Sequence, residues 1–270
     1  MPLLGAYIIR TLTSILLTLF FISAGSSAEG SITVNQIEPE SHLFGILEKQ
    51  IVHRDDDGAL IKIENFLTES ASIQNGMKKQ IDYYENDIIY LFEIWFTDSE
   101  AENTNCLSKR EYVDESDKII GIDFLMNDGS FFQTRGDLVD VALKFTLKSF
   151  KSYSDYHKNN ISDTTMSFEA RLNSSMAYAT FQNDIIPITK TDRDMIHYWT
   201  KSLSLNDFST LYNKKILVKE SGETFYILFQ DSLFEHINAG DSALIYYYFI
   251  GGSQEGPVFL AIDYIEKKDS

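Results

Sequence analysis

Asn86-Asp87-Ile88-Ile89-Tyr90-Leu91-Phe92-Glu93-Ile94-Trp95-Phe96-Thr97 is the stretch on which the fold reading turns. It is apolar on every side, so its periodicity suits a buried helix and a buried strand equally. A second stretch, Asp192 to Leu203, is easier to read. Asp192 offers an N-cap, and Met195, Ile196, Tyr198, Trp199 and Leu203 recur at helical spacing. The only two tryptophans, Trp95 and Trp199, lie 104 residues apart, and around them Leu91, Phe92 and Ile94 match Met195, Ile196 and Tyr198.

Three further matches share nearly the same offset. Lys109-Arg110, Val113, Glu115 and Ser116 match Lys214-Lys215, Val218, Glu220 and Ser221. Gly136-Asp137 matches Gly240-Asp241, and Ile63-Glu64 with Leu67 matches Phe168-Glu169 with Leu172. Common offset and conserved order point to a tandem duplication of a unit of about 105 residues. On this reading Asn86 to Thr97 is a helix, as Asp192 to Leu203 is. The fold expected is α+β and β-rich: two similar units, residues 44–149 and 150–270, each a mainly antiparallel sheet with one helix. Residues 29–43 form a lead segment.

The strands are read from short alternating runs bounded by turn residues. Asp55-Asp56-Asp57-Gly58, Asn127-Asp128-Gly129, Ser221-Gly222 and Gly251 to Gly256 each separate two such runs, as hairpin turns do. Leu138 to Leu147 also alternates, with Val139, Val141, Leu143, Phe145 and Leu147 on one side.

The N-terminus reads as a secretory signal, residues 1–28. A single Arg10 precedes the apolar run Thr11 to Ile22, and small residues follow. Ser26 and Ala28 suit the sites that signal peptidase requires, which places Glu29 first in the mature chain. A retained membrane anchor is the lesser reading, because Arg10 interrupts the apolar stretch. No later stretch is long and apolar enough for a membrane-spanning helix. Cys106 is the only cysteine, so there is neither a lipid-anchoring cysteine at the cleavage site nor an internal disulfide. Secreted eukaryotic chains of this length more often carry several disulfides, so the expected setting is a bacterial periplasm or the medium beyond it.

Forty acidic residues against 23 basic ones give a net charge of −17. A surface of that sign repels phosphate backbones and anionic lipid, so nucleic acid is not an expected partner. A protein, a peptide or a glycan remains compatible.

Motifs that carry chemistry are scarce. The loop starting at His53 places Asp55, Asp57, Gly58, Leu60 and Glu64 at EF-hand positions, but His53 takes the first ligand position and the flanks read as strands. Asp55, Asp57 and Glu64 are therefore the metal candidates, calcium the ion, and a solvated hairpin turn the favoured reading. No cofactor is expected otherwise. Cys106 has no identifiable His partner nearby and reads as a small buried residue. Glu64 with Glu169, and Glu115 with Glu220, are conceivable acid–base pairs that read more simply as surface carboxylates. Tyr246-Tyr247-Tyr248-Phe249 sends Tyr246 and Tyr248 to one strand face. They are candidate ligand-binding residues if that face is open, and core if it is covered, which is the favoured reading. The histidines form no zinc-ligand pair, and no nucleophile elbow or phosphate-binding loop occurs.

The function expected is thus an exported, soluble, non-catalytic binding or interaction protein of the cell envelope. The alternative is a secreted or periplasmic hydrolase whose active site is dispersed along the chain.

Overall fold

A computed structural model describes residues 30–37, 41, 43, 45–160 and 166–267. The expected signal, His42 and Ile161 to Asp163 lie outside them. The described chain is β-rich. Its first eight strands follow one another along the chain, the first five as successive antiparallel neighbours and the seventh paired antiparallel with the eighth. These are β1 (Ile32–Gln36), β2 (Leu47–Arg54), β3 (Leu60–Leu67), β4 (Met77–Glu85), β5 (Ile88–Phe96), β6 (Cys106–Val113), β7 (Ile119–Met126) and β8 (Phe131–Arg135). No helix among the described residues is long and apolar enough to cross a membrane.

The chain forms two compact units. The first comprises the residues up to Thr97 together with Tyr112–Lys118. Here β1 to β5 are successive antiparallel neighbours. A two-turn helix, α1 (Glu69–Asn75), sits between β3 and β4. The Thr68 hydroxyl accepts from the Ala71 N–H at its start, and Gly76, at φ 66°, ends it in the left-handed region. Leu43, Leu47, Leu67, Ala71 and Met77 form its small core.

The second unit contains Asp98–Glu111 and everything from Ile119 onward. It holds α2 (Asp98–Thr104), α3 (Asp137–Lys144), β9 (Thr146–Leu147), α4 (Phe150–Asn160), β10 (Met166–Pro187), α5 (Lys190–Ser202), β11 (Tyr212–Glu220), β12 (Glu223–Gln230), β13 (Ser242–Ser253) and β14 (Gly256–Glu266). The 22-residue β10 is the key element. Its length lets it pair with β13 over Met166 to Thr180 and with β11 over Thr180 to Pro187. Register breaks between Phe168 and Asn173 and between Phe181 and Ile185 bend it. The order β13-β10-β11-β12 is a Greek key. β14 then pairs antiparallel with β13 and parallel with β12, which closes the ring. The result is a five-stranded Greek-key barrel of the OB type.

Alternation fills the barrel. Ala177, Ala179, Ala243 and Ala261 are small enough to leave room for Phe181, Tyr247, Phe249 and Phe259 in the same cluster. Phe150 and Tyr153 of α4 join it, with the Phe150 ring 4.5 Å from that of Tyr247. Met195, Ile196 and Trp199 of α5 pack on the other faces of these strands, against Tyr212, Leu228, Ile250 and Leu260.

Two expected elements are corrected. Asn86 to Thr97 is not a helix: Asn86 and Asp87, at φ 52° and 62°, make the tight turn of a hairpin between β4 and β5. The run after them is rich in β-branched and aromatic residues, which suit a pleated strand. Leu138 to Leu147 is not one strand. Gly136 at φ 62° redirects the chain into α3, which buries Val139 and Ala142 three residues apart and carries Asp137 and Asp140 in its first turn. Trp95 therefore lies in a strand and Trp199 in a helix, while Gly136-Asp137 opens a helix and Gly240-Asp241 leads into a strand. The duplication of about 105 residues is not confirmed. Asp192 is not the N-cap of its helix. Thr189 is, and Asp192 is the reciprocal partner in the capping box, accepting from the Thr189 N–H at 2.7 Å.

Candidate functional site

A cleft of about 800 Å³ opens in the second unit. Four turns and strand ends converge on it. The β7–β8 turn brings Asn127 and Asp128, and the bent part of β10 brings Tyr178 to Asn183. The β11–β12 turn brings Lys219 to Gly222, and Gly240 and Ser242 lead into β13. The register break between Phe181 and Ile185 leaves Gln182 and Asn183 out of the ladder and turns that segment towards the opening.

Asp128 is the charged centre of one wall. Its Oδ1 accepts from the Ser130 N–H at 2.9 Å and its Oδ2 from the Tyr178 hydroxyl at 3.0 Å. The Ser130 hydroxyl lies 3.0 Å from the Tyr178 oxygen, and the Tyr178 ring stands edge-on to Phe132 at 5.4 Å. Burial works to raise the Asp128 carboxyl, but the Ser130 N–H, the Ser130 hydroxyl and Tyr178 outweigh it and hold it below its ordinary value.

Glu220 forms the opposite case. It is 2 % exposed, and its Oε2 accepts the Lys151 N–H in the first turn of α4 at 3.2 Å. Burial pushes its carboxyl up to about 8, against the N–H groups of Lys151 and Phe150, which favour the ionised form. Ser221, at φ 49°, and Gly222 make the turn beside it. The Ser221 hydroxyl donates to Asn105 Oδ1 at 3.0 Å, and Asn105 Nδ2 reaches Glu220 Oε1 at 3.5 Å. Thr180 and Ser242 hydroxyls pair at 2.9 Å. The wall thus combines amides, hydroxyls, the Lys219 ammonium, the Phe181 ring, a carboxylate held low at Asp128 and a carboxyl pushed up at Glu220. No histidine is among its lining residues.

The residues singled out from sequence lie elsewhere, apart from Glu220. Asp55 Oδ1 accepts from the N–H groups of Asp57 and Ala59, as in a solvated turn. Glu64 faces Lys62 and His53 Nε2, each at 2.9 Å, and also contacts Lys79. Burial opposes this, yet the two lysines bring its carboxyl down to about 2. Among the described residues no cluster of His, Cys, Asp and Glu has the arrangement of a metal site. Tyr246 is fully buried, its ring 5.1 Å from Phe145, and Tyr248 packs on Trp199 at 5.3 Å. Cys106 is fully buried, and burial pushes its thiol up to about 12. Glu115 is exposed where Glu220 is buried, and Glu169 pairs with Arg171 at 2.9 Å.

Sequence reasoning missed Asp128, Tyr178 and the role of Glu220. The signal that points to them is the convergence of three glycine-bearing turns with the polar run Gln182-Asn183-Asp184, which interrupts the alternation of β10. No family model matches the chain, and no curated protein matches it.

Proposed function

We propose that the protein is exported and non-catalytic, and that the cleft of its second unit binds a neutral oligosaccharide. One observation carries this reading: a cleft of about 800 Å³ whose wall is rich in side-chain amides and hydroxyls, with Asp128 and Lys219 of opposite charge and the ring of Phe181 among them. That volume suits a ligand of several sugar rings, and hydroxyl-rich ligands need donors and acceptors side by side. A net charge of −17 disfavours anionic ligands. The nucleophiles lack a base: Ser221 donates to Asn105, and no histidine stands near it among the lining residues.

Calorimetric titration with a panel of neutral oligosaccharides and basic peptides tests the reading. Saturable binding of an oligosaccharide, weakened about tenfold or more in Tyr178→Phe, is expected. Binding of the peptides alone, or of neither, refutes it. Export is tested by N-terminal sequencing of the protein from the envelope fraction, with Glu29 expected first.

One observation favours the hydrolase as second reading. Asp128 and Glu220 line the same cleft, one ionised and the other neutral at pH 7, as glycoside hydrolysis requires of its two carboxyl groups. Release of reducing ends that disappears in Glu220→Gln would establish it.

A further inference from the structure

β1 is the outermost strand of its sheet, and among the described residues no strand pairs with its outer edge. All five of its residues are exposed, Ile32 at 65 % and Val34 at 56 %. The direction of its peptide groups follows from one hydrogen bond. The Arg54 N–H donates to the Ser31 carbonyl at 2.9 Å, and the register continues unbroken from Ile32 opposite His53 to Gln36 opposite Lys49. Alternation then turns the peptide groups of Ser31, Thr33 and Asn35 towards β2. Those of Ile32, Val34 and Gln36 face outward.

Open edges are normally guarded by a lysine, a proline or a bulge. Ile32-Thr33-Val34-Asn35-Gln36 has none of these, and no charge, in a chain whose net charge is −17. We propose that this edge pairs antiparallel with the same edge of a second copy of the chain, about a two-fold axis at Val34.

Three features single out a second copy. The outward-facing residues are spaced evenly about Val34. A two-fold pairing therefore sets Val34 against Val34 and Ile32 against Gln36, and each pair exchanges both hydrogen bonds, about six in all. Ile32 and Val34 share one face, so the four side chains cover one another diagonally. Like-charged copies also approach at least cost along an uncharged strand. Two five-residue strands bury far less than the roughly 1,200 Å² of a stable interface, so the dimer is weak and concentration-dependent.

Sedimentation of the purified protein from micromolar to millimolar concentration tests this. The average mass should climb towards twice that of the chain, and Val34→Lys should remain at the single-chain mass with an unchanged melting temperature. Val34→Cys adds a direct reading of register. Paired residues across such a ladder stand about 5.5 Å apart at Cα, within disulfide reach. Cys106 is fully buried, so a mild oxidant should give a covalent dimer through residue 34 alone. A single-chain mass at every concentration overturns the proposal. So does a Val34→Lys variant that dimerises like the parent, or a Val34→Cys variant that yields no linked dimer.

Discussion

The imidazole of His157 occupies the space that a side chain at Gly252 would take: a Cβ there would lie 2.3 Å from Cε1 and 2.6 Å from Nδ1. His157 is 8 % exposed on α4, with its Nε2 3.3 Å from the Ser253 carbonyl. The missing Cβ is what lets α4 lie against β13 at this point. Gly252→Ala should therefore cost about 1–3 kcal/mol of stability in chemical denaturation, through overpacking. In a His157→Ala background part of that cost should vanish, because the ring is gone while the Gly256 carbonyl, 2.8 Å from the same Cβ, remains. A double-mutant cycle reads the coupling, and additive losses would mean the strain lies elsewhere.

Two buried carboxyls carry large upward shifts and contribute to the pH dependence of stability. Asp82 is fully buried, with Gln80 Nε2 and Asn65 Nδ2 donating to its oxygens, and burial raises it to about 6. Glu220 is raised to about 8. A carboxyl whose folded value exceeds its unfolded value holds more protons when folded. Its contribution is complete below the unfolded value and is lost as pH rises through the folded one. Stability should thus fall from about pH 4 to about pH 8. Glu220→Gln should flatten the limb between about pH 6 and 8, and Asp82→Asn should reduce the slope between about pH 4 and 6. Melting temperatures across that range decide the matter.

Glu64 works in the opposite direction. Its folded value of about 2 lies below its unfolded value, so its contribution is present above about pH 4.5 and is lost as pH falls through about 2. Glu64→Gln should cost about 1–2 kcal/mol at pH 7, and the two proteins should converge in stability near pH 2. Calcium or a chelator should leave the melting temperature unchanged, because Lys62 and Lys79 already neutralise this carboxylate and Asp55 is bound to its own turn. A calcium-dependent rise in melting temperature would sink this account.

Local chemistry made part of this fold legible. Hairpin turns with glycine at a left-handed position, such as Asn127 to Gly129 and Ser221-Gly222, announce themselves because few residues tolerate those angles. The Asn86-Asp87 turn is open to the same reading, but the offset between Trp95 and Trp199 points to a helix there. Barrel closure was not legible at all. It depends on β10 serving β13 with one half and β11 with the other, and on β14 running parallel to β12. Such pairings join residues far apart in sequence and leave no local period. The cleft was hidden for the same reason: Asp128, Tyr178 and Glu220 come from three separate turns or strands, and each alone looks like a surface residue.

Tyr178 gives the sharpest separation of binding from catalysis. Its hydroxyl donates to Asp128 Oδ2, and its ring is positioned edge-on by Phe132. Tyr178→Phe keeps the ring contact and removes one hydrogen bond to a charged acceptor, worth about 1.5–3 kcal/mol. The Asp128 carboxyl loses one of the bonds that hold it low, so its titration should move up. In a binding protein this variant should weaken an oligosaccharide at pH 7, and Asp128→Asn should weaken it too, without altering the ligand. In a hydrolase Asp128→Asn should instead abolish turnover while the ligand remains bound. Calorimetry paired with analysis of the recovered sugar distinguishes the outcomes. Intact sugar with weakened affinity in both variants is the result expected.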